Sequence, residues 1–311
     1  MDSKYYLSFL FVCGAFSFFL KWLYNHAMCT TTTRLDGKVV IITGANTGIG
    51  KETSIEIAKR GATVVMACRD LKRGQSALED IKRLSNSHRV FLKRLDLASL
   101  SSVRKFTYEF IKEFDCLHIL INNAGIMMCP YWKTEDGFEM HFGVNHLGHF
   151  ALTNLLLRHF SVHGRIINVS SCVHKYATIN FEDINFEKNY CRRKAYCQSK
   201  LANVLFTCEL HRKLVGSKIS AYSLHPGIIN TELGRHSFLK YLLWLPCFKS
   251  PMQGAQTSIY CATKKGLEDQ SGNYFAECKL VKTMNKHFFD EGQAKKLWEL
   301  SEKLTETTYP L

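Results

Sequence analysis

Residues 39–50 read VVIITGANTGIG, an apolar run that breaks into a loop with three glycines. The run 39–42 is the β-branched sequence expected of a strand buried on both faces, and helical spacing follows from Ile49 onward. The three glycines permit a tight turn, close approach of a pyrophosphate, and close packing of helix on strand. A glycine triplet alone is a weak signal, and the alternative is a turn that is merely rich in glycine. The segment favours a strand–turn–helix unit that binds a dinucleotide at the helix N-terminus.

Strand and helix patterns alternate after this unit. The rhythm is typical of a single Rossmann-like α/β domain, in which a doubly wound parallel sheet has right-handed crossovers. Such sheets bind ligands beyond the carboxyl ends of their strands. Further predicted strands are 63–67, 89–95, 117–121, 165–169, 218–224 and a short one near 274, and the predicted helices are 71–84, 100–114, 137–160, 195–214, 251–262 and one from 292.

Composition bounds the class of protein. The 311 residues, 46% of them hydrophobic, suffice for one large core, and the formal net charge is +14. The basic residues are scattered, and the densest group, 188–194, belongs to no nucleic-acid module. We therefore expect no nucleic-acid partner and interpret the charge as solvated surface first and membrane affinity second. The 12 cysteines form no C-x-x-C pair, which indicates reduced core residues rather than a disulfide framework.

An almost unbroken apolar and aromatic stretch, YYLSFLFVCGAFSFFLKWLY, occupies residues 5–24. About 20 such residues just span a bilayer. A cleaved signal peptide needs a basic start and a small-residue cleavage site, which this stretch lacks, and an interfacial helix is the other alternative. We expect an N-terminal hydrophobic anchor helix within 1–28 and a catalytic domain over 29–311. Basic residues that follow the stretch place that domain in the cytosol.

Tyr196 and Lys200 stand four residues apart on a predicted helix, so both side chains project from one face. A free tyrosine has a pKa of ~10, and a nearby lysine cation, helped by an oxidised nicotinamide, lowers the pKa of the phenol toward the neutral range. This pair can therefore act in acid–base catalysis. The same spacing also occurs by chance on ordinary solvated helices.

Other motifs accompany this pair in a fixed order: TGANTGIG at 43–50, NNAG at 122–125, Asn145, Ser171 and YCQSK at 196–200. They resemble the short-chain dehydrogenase/reductase family over residues 38 to about 275. NTGIGKET, ACRD, INNAGIMMCPYWKTEDGFEMHFGVNHLGHF, YCQSKLANVLFT and HPG further resemble the microsomal retinol dehydrogenase group, as does the N-terminal stretch. The resemblance implies an enzyme of the endoplasmic reticulum membrane that faces the cytosol and reduces retinal and related lipid aldehydes with NADPH.

The resemblance also implies a role for each matching residue. Tyr196 would protonate the carbonyl oxygen in reduction, or act as the base in alcohol oxidation. Lys200 would lower the pKa of that tyrosine and bind the nicotinamide ribose. Ser171 rather than Ser170 would hold the substrate oxygen, because neighbours on a strand alternate faces. Asn145 would position a water that links Lys200 to solvent, and the alternative is a locally satisfied amide. The dinucleotide would be bound by Gly44, Ala45, Asn46, Thr47, Gly48, Ile49, Gly50, Arg69, Asp96, Asn123, Ala124 and Gly125, together with Tyr196 and Lys200.

The residues at the end of the second predicted strand indicate which dinucleotide is preferred. An NAD enzyme usually has an acidic residue there, about 20 residues past the glycines. In this chain no acid occurs before Asp70, and Arg69 can form a forked, charge-assisted contact with a 2′-phosphate. The sequence therefore favours NADP(H).

Residues 233–248, LGRHSFLKYLLWLPCF, supply a large apolar surface after the sixth strand. A segment in that place passes over the carboxyl edge of the sheet, where the nicotinamide must lie. Either these residues pack onto the domain, or some of them, such as Leu243 and Trp244, hold a long apolar substrate that arrives from the membrane.

Three histidines and one cysteine could suggest other kinds of site, but their patterns are weaker. His141, His146 and His149 lie on one predicted helix without a coherent ligand set, so we expect no metal. Cys197 has no histidine at a suggestive spacing and is not expected to be a nucleophile. Two other functions remain in competition: a steroid or fatty-aldehyde dehydrogenase with the same machinery, and a catalytically silent scaffold that binds NADPH.

Overall fold

The computed structural model describes residues 27–229, 233, 249–282 and 290–311. A sheet of eight strands forms its centre, in the order β3-β2-β1-β4-β5-β6-β7-β8. All neighbours are parallel except β8, which pairs with β7 in the antiparallel sense. The strands are β1 Val39–Thr43, β2 Thr63–Cys68, β3 Val90–Arg94, β4 Leu117–Asn122, β5 Phe160–Val169, β6 Ser220–His225, β7 Tyr274–Ala276 and β8 Lys279–Leu280.

Helices cover both faces of the sheet. They are α1 Gly48–Lys59, α2 Leu71–Ser85, α3 Leu100–Glu113, α4 Gly148–Leu156, α5 Arg192–Lys213, α6 Pro251–Thr263 and α7 Glu291–Thr305. Side-chain caps fix several helix starts: the Asp70 carboxylate accepts from the N–H of Arg73 at the start of α2, and Ser250 and Gln253 form a capping box at α6.

Successive residues of β1 face opposite layers. Val40 and Ile42 pack in one cluster with Ile57 of α1, whereas Ile41 packs in another with Phe106 of α3. All three strand residues are fully buried. This alternation explains the unbroken apolar run of the sequence, since a parallel strand covered on both faces has no polar side.

An aromatic cluster joins the last helix to the body of the domain. The Trp298 ring of α7 lies 4.9 Å from Phe150 of α4 and 5.7 Å from Phe206 of α5, measured between centroids. All three residues are buried. These buried rings therefore pack α4, α5 and α7 together in one cluster with Ile166 of β5 and Ala221 of β6.

The predicted doubly wound parallel sheet is confirmed. Two details differ from the sequence prediction. Strand β5 begins at Phe160 rather than at 165, because a register irregularity opposite β4 admits the polar stretch that contains His163, whose φ is +64°. The predicted helix 137–160 begins at Met140, and its residues Gly143–Leu147 form a π-helix before α4.

The ten cysteines in the described residues are free, as the sequence predicts. Within the same residues, no helix has both the length and the apolar character needed to span a bilayer. The predicted anchor stretch 5–24 lies outside the described residues, and so does the apolar segment 233–248 apart from Leu233.

Candidate active site

The turn after β1 brings backbone against backbone. Gly44 and Gly48 adopt left-handed φ values of +66° and +56°, which glycine reaches without strain. A Cβ on Gly50 would lie 2.3 Å from the Gly44 carbonyl oxygen and 2.6 Å from Asn123 Nδ2. The close approach leaves the first backbone N–H groups of α1 at the wall of a cavity, which is the arrangement that binds phosphate.

Thr43, the last residue of β1, holds this turn against the end of β4. Its hydroxyl oxygen accepts hydrogen bonds from the N–H groups of Asn123 and Ala124, both at 2.9 Å. The same hydroxyl lies 2.9 Å from His149 Nε2. Because His149 Nδ1 contacts the Asn145 carbonyl at 3.1 Å, Nδ1 carries the proton and Nε2 accepts from Thr43. Thr43 begins the motif TGANTGIG, but its role depends on contacts with distant residues that the motif alone does not reveal.

A cavity runs along the carboxyl edge of the sheet, past the ends of β1, β2, β3 and β4. This cavity is lined by the residues that were predicted to bind the dinucleotide without a catalytic role, with one exception. The exception is Ala45, which is fully buried beside the turn. Residues that the prediction lacked also line it, among them Arg73, Cys129 and Trp132. The predicted residues at the cavity wall are Gly44, Asn46, Thr47, Gly48, Ile49, Gly50, Arg69, Asp96, Asn123, Ala124 and Gly125.

Gly125 joins this cavity to the four predicted catalytic residues. A Cβ there would lie 3.2 Å from Asn145 Oδ1 and 3.6 Å from Lys200 Nζ. The Asn145 side chain lies in the π-helix and is fully bonded: it accepts from the N–H of Ile126 at 2.9 Å and donates to the Ile126 carbonyl and to Ser199 Oγ. Its amide therefore fixes the NNAG loop against α5, through partners that are distant in the sequence rather than local ones.

Two serines follow β5, and they face different ways. Ser170 is buried, and its hydroxyl donates to the Lys200 carbonyl at 2.6 Å. The Ser171 side chain instead lies near the Tyr196 phenol, close enough to lower the pKa of that group. The alternation expected for neighbours on a strand thus places Ser171 beside Tyr196.

Burial controls the charge state of the catalytic pair. It raises the pKa of Tyr196 above its ordinary value, and the nearby Ser171 side chain opposes that rise only in part. Desolvation lowers the pKa of Lys200 from 10.5 to about 8. Lys200 Nζ lies 5.8 Å from the centre of the Tyr196 ring and donates to the Val169 carbonyl at 3.1 Å. These residues by themselves hold the phenol protonated, and the lower pKa predicted for Tyr196 beside an oxidised nicotinamide stays a prediction.

The three histidines of the predicted helix have separate surroundings. His146 Nε2 contacts Ser301 of α7 at 2.8 Å, and His149 bonds Thr43 as described. His141 instead contacts Cys129 and Glu139, which the sequence analysis did not associate with it. Each histidine has a packing partner distant in the sequence, which explains why spacing along the helix gave no ligand set.

Curated relatives share this chain over most of its length. It is 50% identical over 287 residues to human Retinol dehydrogenase 11, with 91% of this chain and 90% of that protein covered. Mouse Retinol dehydrogenase 12 is 50% identical over 279 residues, covering 88% of each chain. Mouse Retinol dehydrogenase 13 is 49% identical over 289 residues, covering 89% of this chain and 86% of the relative.

Solved structures share the fold. An uncharacterized protein from Mycobacterium paratuberculosis has a TM-score of 0.77 and 38% identity, covering 92% of this chain and 100% of its own. A short chain dehydrogenase from Burkholderia cenocepacia, determined in complex with NADP, has a TM-score of 0.63 at 23% identity, covering 78% of this chain and 97% of its own. The family described as short chain dehydrogenase matches residues 38–241, which carry the glycine turn, the NNAG loop and the Ser171–Tyr196–Lys200 group. This chain belongs to the short-chain dehydrogenase family.

Proposed function

We propose that this protein interconverts retinol and retinal with NADP(H), mainly as a reductase, and also acts on other lipid aldehydes. The observation that carries the proposal is the contact of Ser171 with Tyr196, beside Lys200 and next to the dinucleotide cavity. The relatives named Retinol dehydrogenase direct the choice of substrate toward retinoids. Bound NADPH would supply the hydride, and the glycine turn and the start of α1 would hold its phosphates.

The chain's own residues handle the proton. Tyr196 is protonated at neutral pH and would donate to the carbonyl oxygen, to which the neighbouring Ser171 hydroxyl would be a second donor. Lys200 places a cation next to the phenolate that forms, and this stabilises the charge that develops on the oxygen. Asn145 keeps the NNAG loop in register with α5, so that the cofactor cavity and the proton donor stay aligned.

The first test compares substrates. Membrane fractions that contain the protein are incubated with NADPH and retinal isomers, medium-chain aldehydes or steroids, and the products are quantified. Retinal should be reduced, and Tyr196→Phe should lower kcat by roughly 100-fold or more, since general acid catalysis contributes on the order of 10²–10⁴. Binding of NADPH, followed by its fluorescence, should be retained in this variant.

Two results would contradict the retinoid assignment. Turnover confined to steroids or medium-chain aldehydes would identify the protein as a dehydrogenase of that class. Retained NADPH binding without turnover of any carbonyl would identify a silent scaffold.

NADP(H) preference rests on two guanidinium groups. Arg69 at the end of β2 and Arg73 on α2 both line the cavity at the adenosine end. We expect Arg69→Asp to raise KM for NADPH at least tenfold while KM for NADH stays within about twofold, because only NADPH carries the 2′-phosphate. Lys72→Asp makes the same charge change at an exposed residue between them and should leave both constants unchanged. Equal effects of Arg69→Asp on both cofactors would refute the preference.

Burial of the charged Lys200 side chain lowers the stability of the fold, so the direction in which stability changes with pH can be predicted. Its pKa is about 8 in the fold and 10.5 outside it, so from pH 8 to 10.5 the unfolded chain binds more protons and stability rises with pH. At pH 7 the buried cation costs about 3 kcal/mol at 1.36 kcal/mol per pKa unit. Lys200→Met should therefore abolish turnover yet raise the melting temperature at pH 7, and the gain should shrink toward pH 10.

A matched control separates this effect from general surface charge. Lys194→Met removes an exposed lysine near the start of the same helix and should shift stability by a small amount that does not depend on pH. The Val169 carbonyl keeps Asn203 Nδ2 as a donor at 3.2 Å when Lys200 is replaced. A lower melting temperature of Lys200→Met at every pH would show that the lysine is needed for packing instead.

We further propose that residues 1–28 anchor the catalytic domain, 29–311, on the cytosolic side of the endoplasmic reticulum membrane. The Ala27 N–H donates to the Glu277 carboxylate at 3.2 Å, and Lys249 pairs with the same carboxylate. Ala27 and Lys249 border the apolar segments that lie outside the described residues. Glu277 thus holds together the two described residues that border the predicted anchor and the apolar segment, and we propose that an apolar substrate enters from the bilayer.

Alkaline carbonate tests the anchor, because it removes peripheral proteins and leaves spanning ones in the pellet. The full chain should stay in the pellet, and a chain that lacks residues 1–28 should appear in the supernatant with unchanged NADPH binding, since the nucleotide fold begins with β1. Extraction of the full chain would overturn the proposal.

A further inference from the structure

Three buried side chains form a relay behind the cofactor cavity. Glu139 Oε1 lies 2.6 Å from His141 Nδ1, and His141 Nε2 lies 3.5 Å from Cys129 Sγ. Glu139 and His141 are fully buried, and Cys129 is 1% exposed. The order of the groups is therefore carboxylate, imidazole and thiol, and each lies within hydrogen-bonding distance of the next.

The carboxylate sets the tautomer of the imidazole. Glu139 also accepts from the backbone N–H groups of His141 at 3.0 Å and Phe142 at 2.9 Å, so both of its oxygens are occupied. Because both carboxylate oxygens already accept from backbone N–H groups, the His141 Nδ1 that faces Oε1 carries the proton, and Nε2 is left as the acceptor. The Cys129 sulfur lies 3.5 Å from Nε2 and 3.8 Å from Nδ1, beside the ring. The three groups lie within 4.8 Å of one another, as metal ligands can, but this carboxylate is already engaged by its hydrogen bonds. The arrangement places a base that is oriented by an acid next to a nucleophile.

The thiol belongs to a loop that is held in place at the cavity. Cys129 is one of the residues that line the cavity, on the stretch between the NNAG loop and the π-helix. The Tyr190 hydroxyl donates to the Cys129 carbonyl at 2.8 Å, and the Tyr190 ring packs 5.0 Å from Tyr131. A small molecule in the cavity therefore contacts a residue whose backbone is held in place and whose sulfur lies against the His141 ring.

We propose that Cys129 is a covalent modification site for small α,β-unsaturated aldehydes that enter the cavity. In the reaction, the Cys129 proton passes to His141 Nε2 as sulfur bonds to the β-carbon of the alkene. The π pair moves onto the conjugated carbonyl as an enolate, and the proton from His141 then goes to the α-carbon. The product is a thioether with a free aldehyde, nothing is oxidised or reduced, and no other reactant is needed.

Proton transfer during the step is essential. Burial raises the pKa of Cys129 to about 11, and the charge of Glu139 adds to that rise. The resting group is therefore a neutral thiol, whose reactivity depends on His141 as a general base. The modification does not depend on retinal as the substrate, since it requires only entry to the cavity.

The experiment follows alkylation at each cysteine. Purified full-length protein is treated with limiting acrolein, and adducts are located by peptide mass spectrometry over time. Cys197 is the internal control: it is 7% exposed against 1% for Cys129, so exposure alone would make it react first. We expect Cys129 to react at least tenfold faster than Cys197, and His141→Asn to remove that advantage without changing the rate at Cys197.

Further variants keep the test decisive. Glu139→Gln retains the imidazole and should slow alkylation of Cys129, which covers the case in which His141→Asn fails to fold. Acrolein should also abolish NADPH binding by the wild type but not by Cys129→Ser, because the adduct occupies the cavity wall. An unmodified Cys129, or an unchanged rate in the folded His141→Asn variant, would overturn the proposal.

Discussion

The buried hydroxyl of Thr43 is the constraint on which the rest of the site depends. It accepts from the backbone N–H groups of Asn123 and Ala124 and donates to His149, which in turn donates to the Asn145 carbonyl. One hydroxyl thus connects the glycine turn, the NNAG loop and the π-helix. Loss of a partner would leave buried donors unpaired, at a cost of about 1–3 kcal/mol each. The cofactor half and the catalytic half of the site are held in register by this path.

The π-helix explains how Asn145 reaches its partners. Extra residues in the turn displace its side chain toward Ile126 and Ser199, where all of its bonds are used. The adjoining helix also passes very near the loop after β3: a Cβ on Gly148 would lie 2.6 Å from the Leu97 carbonyl oxygen. Irregular helical turns of this type recur at functional sites because they redirect one side chain without ending the helix.

The sequence predicted those features of the fold and site that depend on residues close to one another along the chain. The alternation of strands and helices, the glycine turn and the faces of Ser170 and Ser171 follow from spacing over a few residues, and the structure has them as predicted. Contacts between distant segments could not be read in this way. Arg73 was missed because its relevance depends on how α2 leaves β2, and Cys129 because its partner lies in the helix beyond the next loop. Burial by the whole domain raises the pKa of Tyr196, whereas the lowering that the sequence predicts needs an oxidised nicotinamide as well as the lysine and stays a prediction.

Two buried histidines that are neutral in the fold, His146 and His149, make the folded protein less stable at acidic pH. Burial lowers the pKa of His149 to about 4 and that of His146 to about 3, against 6.5 for an unburied imidazole. Between those values the unfolded chain binds more protons than the folded one, so this contribution to stability is full above about pH 6.5 and is lost progressively as the pH falls toward 4. Protonation of His149 would also remove the lone pair that accepts from Thr43. Above that range the bond from Thr43 to His149 is unaffected by pH, because the ring has no further proton to lose in the physiological range. Titration of the catalytic group near neutrality is therefore left to Lys200, whose lowered pKa is the one among these buried groups that lies close to physiological pH.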